Sequence, residues 1–91
     1  MLTIVAYDIA QPRRLARVAK VCEDYGMRVQ YSIFECRLEE PEFDSFWLKL
    51  LEEIDEDEDR IVAYKIDARC AKETLTAGTM VCTEKAVCYL V

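Results

Sequence analysis

Apolar residues follow two different spacings along this chain, and each spacing predicts a different kind of element. The run 2–7 is almost continuously apolar, which is typical of a central β-strand covered on both faces. Apolar side chains then recur every three or four positions over about 12–25, and again over about 39–54, which predicts two amphipathic helices. The runs 60–66 and 86–91 predict two further strands.

The segment 28–38 breaks the alternation that one continuous strand would keep. Apolar or aromatic side chains occupy one parity up to Ile33, but the charged Glu35 and Arg37 continue that same parity. Either the strand changes face near 31–32, or its polar positions line a site. With a tight hairpin there, the element order becomes β-α-β-β-α-β with an additional C-terminal strand, which is an α+β, ferredoxin-like arrangement.

Proline, glycine and acidic residues predict where the elements end. Pro12 suits the first position of the first helix, and Gly26 is expected to end that helix in a left-handed conformation. The five consecutive acidic residues 55–59 predict a self-repelling, solvated loop. Gly78 predicts a bend in the looser stretch that follows the strand 60–66.

Length and composition predict one small domain. A chain of 91 residues is expected to form a single domain over 1–91, and a domain this small gains stability from dimerisation. An apolar C-terminal strand needs a partner edge, so we expect about 79–91 to pack on a second subunit. No stretch approaches the roughly 20 apolar residues that cross a bilayer, and a strand begins at once in place of a leader. We therefore expect a cytoplasmic protein with no membrane partner.

The residue types present exclude several classes of chemistry. The sequence contains no histidine, which excludes Ser-His and Cys-His nucleophilic sites. Its five cysteines include no C-x-x-C pair, so reduced, buried thiols are expected and a structural zinc site is not. Any catalysis would have to use carboxylates, arginine, lysine, tyrosine or a metal.

The net charge of −6 argues against a nucleic-acid partner only until its distribution is considered. Residues 1–37 hold six cations against four acids, whereas residues 38–60 hold eleven acids against two cations. The acidity is therefore local, and a basic face in the first part of the chain can still meet phosphates.

Asp8 follows the first strand, at a position where sheets often carry functional groups. Its carboxylate could bind a hard divalent cation, and a two-fold dimer would supply the second carboxylate that such a site favours. The alternative is an ordinary turn residue or helix N-cap, since aspartate favours both places. Spacing alone leaves both interpretations open.

Cations on the first helix supply further candidates. At 100° per residue, Arg13, Arg17 and Lys20 cluster opposite the apolar face, and Arg14 lies toward the flank. This set could contact phosphates. It could equally be the solvated face of an amphipathic helix.

Three aromatic residues lie in the same part of the chain, namely Tyr7, Tyr31 and Phe34. Each ring could stack on a nucleic-acid base, a contact worth about 1–3 kcal/mol where it occurs. Aromatic residues are more often found in cores, and for Tyr7 we expect a core position.

Two motifs together resemble one family closely. They are Tyr7-Asp8-Ile9 and Arg28-Val29-Gln30-Tyr31-Ser32-Ile33-Phe34-Glu35-Cys36, with Arg14, Arg17 and Lys20-Val21-Cys22 on the helix between them. The family is the small CRISPR-associated endonuclease of spacer acquisition, the second universal Cas protein. The resemblance is dense over residues 2–38 and looser, but consistent in element order, to the end of the chain. Ile33 stands where the family usually has valine, which is a conservative difference.

The resemblance implies a ferredoxin-like homodimer whose C-terminal strand packs on the partner's sheet. It implies that Asp8 is the catalytic residue and binds Mg²⁺ (or Mn²⁺), facing its two-fold mate. It also implies a nucleic-acid-binding set, which comprises Tyr7, Arg14, Arg17, Arg28 and Phe34. The implied activity is metal-dependent hydrolysis of phosphodiester bonds in single-stranded RNA or double-stranded DNA, and the implied protein partner is the CRISPR-associated integrase.

The resulting hypothesis assigns each residue a role. A water activated at the metal on Asp8 would attack the phosphodiester, Arg17 and Arg28 would neutralise the phosphate, and Phe34 would stack on a base. Two other functions remain open. One is a non-catalytic, dimeric DNA-binding scaffold that joins two integrase dimers, and the other is a toxin-like ribonuclease of a related ferredoxin-like type.

Overall fold

The computed structural model describes residues 1–78, which form a four-stranded antiparallel sheet with two long helices over one face. The elements in chain order are β1 (Leu2–Asp8), α1 (Pro12–Tyr25), β2 (Met27–Gln30), β3 (Ile33–Arg37), α2 (Glu40–Glu53), β4 (Arg60–Ile66) and α3 (Ala68–Lys72). The strand order in the sheet is β2-β3-β1-β4, so the predicted ferredoxin-like arrangement is confirmed. The strand predicted at 86–91 and the packing predicted for 79–91 lie outside the described residues.

Strand β1 occupies the middle of the sheet because both of its edges are paired. It runs antiparallel to β3 and to β4, with Val5 opposite Phe34 on one side and Ala63 on the other. Alternate side chains of a strand point to opposite faces, and Val5 belongs to the buried set that faces the helices. On the other face Ile4 and Ala6 are only half-buried. At the start of β1 this face is covered too, since Leu2 is buried in a second cluster with Ala71 of α3. Within residues 1–78, coverage of both faces is therefore confirmed only for the beginning of the strand.

The segment 28–38 is a hairpin, as its change of parity predicts. Strand β2 ends at Gln30, Tyr31 and Ser32 form the turn, and β3 begins at Ile33. The register of the pair shifts between Arg28 and Gln30, which marks a local irregularity before the turn. In β3, Phe34 and Cys36 are buried under the helices, and Phe34 stands opposite Arg28 of β2.

The two long helices cover one face of the sheet with a continuous apolar core. Its fully buried members, each from a different element or turn of helix, are Val5, Val18, Cys22, Phe34, Phe46 and Leu50. Helix α2 begins with a capping box in which Glu39 and Glu42 each accept a hydrogen bond from the other's backbone N–H. Within residues 1–78, no helix has the length and apolarity needed to cross a membrane.

Gly26 ends α1, but the predicted left-handed conformation is wrong. Its φ is −163° and its ψ is −158°, which is extended backbone that leads directly into β2. The reason for glycine is instead the close approach of β3. A Cβ atom at this position would lie 2.5 Å from the Sγ atom of Cys36 and closer still to the carbonyl oxygen of Glu35.

Two local predictions need correction. The stretch after β4 contains the short helix α3, whose N-cap Asp67 accepts a hydrogen bond from the backbone N–H of Cys70 at 2.8 Å.

Buried thiols are confirmed for Cys22 and Cys36, whereas Cys70 is exposed. Burial raises the pKa of Cys22 to about 12 and that of Cys36 to about 11, so both remain protonated at neutral pH. The two remaining cysteines lie outside the described residues.

Gly26→Ala should destabilise the fold by about 3 kcal/mol, because the added methyl group can be accommodated only if β3 moves away. Urea unfolding followed by the fluorescence of Trp47 would measure the change. Gly78→Ala is the matched control, since a Cβ atom there meets nothing within 4 Å and only its φ of +83° is penalised, by about 1 kcal/mol. An equal or larger loss at Gly78 would contradict the steric explanation.

Candidate metal and nucleic-acid site

Asp8 is the last residue of β1 and is exposed on the sheet face that the two long helices leave open. It stands opposite Arg60 in the pairing of β1 with β4. Within the described part of the chain, its carboxylate takes part in no hydrogen bond or ion pair. The N-cap alternative for Asp8 is wrong, because Gln11 caps α1 by accepting a 2.8 Å hydrogen bond from the backbone N–H of Arg14.

The hairpin turn lies beside this end of β1. The backbone N–H of Tyr7 donates to the carbonyl oxygen of Ser32 at 3.1 Å, which joins the strand to the turn one residue before Asp8. Tyr7 and Asp8 are consecutive in the strand, so their side chains point to opposite faces. Tyr7 is buried, as predicted, while Asp8 is exposed. At the end of β1, one face of the sheet therefore carries the buried Tyr7 side chain, and the opposite face carries the exposed Asp8 carboxylate.

The donor groups of one chain supply only part of a metal site. Among residues 1–78, no cluster of three or more histidine, cysteine, aspartate or glutamate side chains could hold a metal ion. Mg²⁺ commonly takes one or two carboxylates and completes its shell with waters and phosphate oxygens. An exposed, unpaired Asp8 fits one such carboxylate.

Arg28 lies over the ring of Phe34. Its guanidinium carbon is 4.9 Å from the ring centroid, one nitrogen donates to the carbonyl oxygen of Tyr31, and another is 3.8 Å from a carboxylate oxygen of Glu23. The Phe34 ring also stacks on Tyr7 at a centroid separation of 6.1 Å. Burial raises the pKa of Tyr7, an effect that the neighbouring Arg28 partly opposes.

Phe34 therefore has no open ring face for a nucleic-acid base, because its side chain is 0% exposed. The predicted stacking of Phe34 on a base does not fit this arrangement. The residue instead supports Arg28, which remains exposed at the surface. Its assignment to the nucleic-acid site stays a prediction, in a supporting role beneath the cation.

A groove of about 420 Å³ runs between α1 and the hairpin. Its walls include Tyr7, Leu15, Ala16, Arg28, Tyr31 and Ser32. The groove joins an apolar floor to one guanidinium group, and the Tyr31 ring at its rim is 92% exposed. An apolar wall, an open aromatic ring and a cation suit a base together with its phosphate.

The cations of α1 fall into two groups. Arg13, Arg17 and Lys20 are exposed, as the helical spacing predicts. Lys20 pairs with Asp24 at 2.6 Å, whereas Arg13 and Arg17 form no ion pair with any described residue. The charge of Arg17 is therefore open to a phosphate.

Arg14 points inward, to the end of the acidic loop. Its Nε atom donates to Asp59 at 2.8 Å and an Nη atom donates to Glu58 at 3.0 Å. The Asp59 side chain is 0% exposed, so the prediction of a solvated loop holds for 56–58 and is wrong for Asp59. The hydrogen bond from Arg14 lowers the pKa of Asp59 to about 2. The assignment of Arg14 to nucleic acid stays a prediction, and within this chain its charge is already compensated.

Comparison with known proteins gives one consistent family. The family model for CRISPR associated protein Cas2 matches residues 1–74. A "CRISPR-associated endoribonuclease Cas2 3" of Chloroflexus aurantiacus is 37% identical over 91 residues, which cover 100% of this chain and 98% of that protein. A "CRISPR-associated endonuclease Cas2" of Halalkalibacterium halodurans is 38% identical over 71 residues, covering 72% of this chain and 74% of that protein.

A solved structure agrees with the sequence comparisons. The crystal structure of Streptococcus pyogenes Cas2 at pH 6.5 superposes with a TM-score of 0.77 at 37% identity. The superposition covers 86% of this chain and 100% of that one. The fold, the family model and the relatives thus point to the same group of proteins.

The Asp59 contacts predict a characteristic acid dependence of stability. Because the folded-state pKa of about 2 lies below the ordinary aspartate value of 3.8, the ionised carboxylate stabilises the fold above about pH 4. This contribution is lost as the pH falls toward 2. Asp59→Asn should therefore be less stable than the wild type at neutral pH, and the difference should shrink between about pH 4 and pH 2.

Urea unfolding at a series of pH values would measure this difference. Asp57→Asn is the matched control, since it removes the same charge from an exposed position of the same loop. A gap between Asp59→Asn and the wild type that persists unchanged at pH 2 would contradict the assigned role of the carboxylate.

Proposed function

The chain belongs to the CRISPR-associated protein Cas2 family, and on that basis we propose that it is an endonuclease of CRISPR spacer acquisition that hydrolyses phosphodiester bonds. The names of its relatives as endoribonuclease and endonuclease support this activity. We propose single-stranded RNA or double-stranded DNA as its substrate and the CRISPR-associated integrase as its protein partner. We also propose a cytoplasmic location, where such a role would be exercised.

The observation that carries the proposal is the state of Asp8. It is an exposed carboxylate at the end of the central strand, held by the backbone and engaged by no other described side chain. A structural aspartate is usually satisfied by a backbone N–H or a cation, as Asp59 and Asp67 are. An unengaged carboxylate at a rigid position is what a metal ligand requires before the metal binds.

We propose a homodimer formed through the open face of the sheet. Ile4, Ala6 and Val62 are half-buried on that face, and Tyr64, opposite Ile4 in the register, is 57% exposed. A patch of this kind gains free energy when a second copy covers it. Asp8 shares the face with these residues, so a two-fold dimer through it supports the meeting of two Asp8 carboxylates.

We propose that the two Asp8 carboxylates hold one Mg²⁺ or Mn²⁺ ion. When bound, such an ion would supply Lewis acidity and lower the pKa of a bound water. Arg17 and Arg28 would bind the flanking phosphates of the substrate, since both are exposed cations. The groove between α1 and the hairpin would receive an unstacked base, with Tyr31 available to stack on it.

Asp8→Asn should lower the rate of cleavage by at least about a hundredfold. The asparagine amide offers the metal one neutral oxygen, whereas the aspartate carboxylate offers two oxygens that share a negative charge. The measurement is Mg²⁺-dependent cleavage of labelled single-stranded RNA and duplex DNA, beside the wild type. Unfolding curves and sedimentation should be unchanged, since Asp8 supports no other described residue. Asp44→Asn, at an exposed position of α2, is the matched control.

Cleavage by Asp8→Asn at the wild-type rate would contradict the proposed activity. If neither protein cleaves and both bind duplex DNA equally, the non-catalytic scaffold becomes the better description. Growth arrest on expression, lost in Asp8→Asn, would favour the toxin-like ribonuclease instead.

Arg17→Ala should weaken nucleic-acid binding and reduce the slope of log K against log salt concentration by about one unit, as expected for one lost phosphate contact. Fluorescence anisotropy over a salt series would measure both. Lys49→Ala is the matched control, because Lys49 is an exposed cation on α2 that stacks over Tyr25 at 5.2 Å. Equal changes in slope for the two variants would contradict a specific role for Arg17.

A further inference from the structure

Asp59 is a buried carboxylate that accepts hydrogen bonds at both of its oxygens. Its Oδ1 atom accepts from the backbone N–H of Ala10 at 2.9 Å and from an Nη atom of Arg14 at 3.3 Å. Its Oδ2 atom accepts from Nε of Arg14 at 2.8 Å and from the backbone N–H of Asp55 at 2.8 Å. Four donors converge on a side chain that has no exposed surface.

These contacts connect three parts of the fold at the end of β1. Ala10 belongs to the loop that follows Asp8, and Arg14 belongs to the first turn of α1. Asp59 itself immediately precedes Arg60, the residue that pairs with Asp8 across the sheet. The carboxylate therefore ties the loop after Asp8 and the start of α1 to the start of the neighbouring strand.

Asp8 depends on this arrangement because its own carboxylate makes no hydrogen bond or ion pair within residues 1–78. Among the described residues, its position is set by the backbone on either side. On one side the backbone is held by strand pairing, and on the other side by the hydrogen bond from Ala10 to Asp59. A metal ligand must be held to within about 0.5 Å of its productive position, so the loop contact matters to the site.

We infer that Asp59 is a positioning residue for Asp8, acting through the backbone of Ala10 and the guanidinium group of Arg14. The catalytic part of this inference rests on the proposed function. Arg14 is then chiefly a structural cation, whose guanidinium holds Asp59 in place, and the phosphate contacts fall to the unpaired Arg17 and the exposed Arg28.

The test compares Asp59→Ala with Glu58→Gln in the full chain. Asp59→Ala removes every hydrogen bond that Asp59 accepts from Ala10 and Arg14. Glu58→Gln neutralises a carboxylate that contacts the same arginine but is 59% exposed and makes no hydrogen bond to the loop after Asp8. If Asp59→Ala does not fold, Asp59→Asn keeps the side-chain volume. In wild type both carboxylate oxygens of Asp59 accept hydrogen bonds from N–H groups. The NH₂ group of an asparagine would therefore face N–H donors in place of one of those oxygens and lose their hydrogen bonds.

Two readouts need neither metal nor substrate. In the Asp59 variant, amide hydrogen exchange at Ala10 should accelerate at least tenfold, and the side-chain carboxyl ¹³C signal of Asp8 should shift. In Glu58→Gln, the exchange rate should stay within twofold and the Asp8 signal should not move. A purely structural role for Asp59 would lower the melting temperature and leave the Asp8 signal where it is, which would overturn the inference.

The third readout is cleavage, with kcat and KM measured separately. The Asp59 variant should lose at least tenfold in kcat with KM within twofold, because substrate contacts remain while the carboxylate moves. A folded variant with wild-type kcat would overturn the inference even though the proposed activity stands. If the wild type cleaves neither substrate, the proposed function fails, and the exchange and ¹³C measurements alone decide whether Asp59 positions Asp8.

Discussion

The pairing of β1 on both of its edges is the constraint on which the rest of this structure depends. Strands β3 and β4 lie far from β1 in the sequence, yet each adds its ladder to the same central strand. With β1 fixed, strand alternation sends Val5 and Tyr7 into the core under the helices. The same alternation sends Asp8 to the open face. The location of the candidate metal ligand is thus a consequence of how the central strand is buried.

Charged side chains of this domain have two different roles, since some are buried in ion pairs and others remain exposed to solvent. The acidic loop supplies five of the eighteen acidic residues of a chain whose net charge is −6, but its last carboxylate is buried and joins the loop to α1. On α1, Arg14 faces inward to that carboxylate while Arg17 faces solvent without a partner among the described residues. Neighbouring cations on one helix therefore differ in role because a rotation of about 100° per residue turns them toward different surroundings.

The aromatic residues of the site likewise include one buried ring, Phe34, and one exposed ring, Tyr31. Phe34 is enclosed between Tyr7 and the guanidinium group of Arg28, so it contributes by holding a cation at the surface. Tyr31 stands in the turn, almost wholly exposed, beside a groove with an apolar floor. One cation and one open ring from the same short hairpin therefore line a single groove.

Local pattern determined most of the architecture, because helices and strands follow from spacings that a few consecutive residues contain. The bounds of α1 and β4, the hairpin at 31–32 and the exposed cations of α1 could all be predicted in this way. The short helix α3 was missed, since five residues give too little periodicity to detect. Tyr7 in the core and Asp8 at a strand end were also within reach of the sequence, and their motif indicated the family.

Only the tertiary structure decided what depends on residues distant in sequence. Gly26 is required by the backbone of β3, which no property of its neighbours reveals. Asp59 and Arg14 meet across a sequence separation of 45, so an apparently solvated acid becomes a buried anchor. Phe34 loses its open face because Arg28 and Tyr7 cover it. The sequence by itself determines the elements and the chemical groups available, whereas burial and partnership arise only when the folded chain brings those groups together.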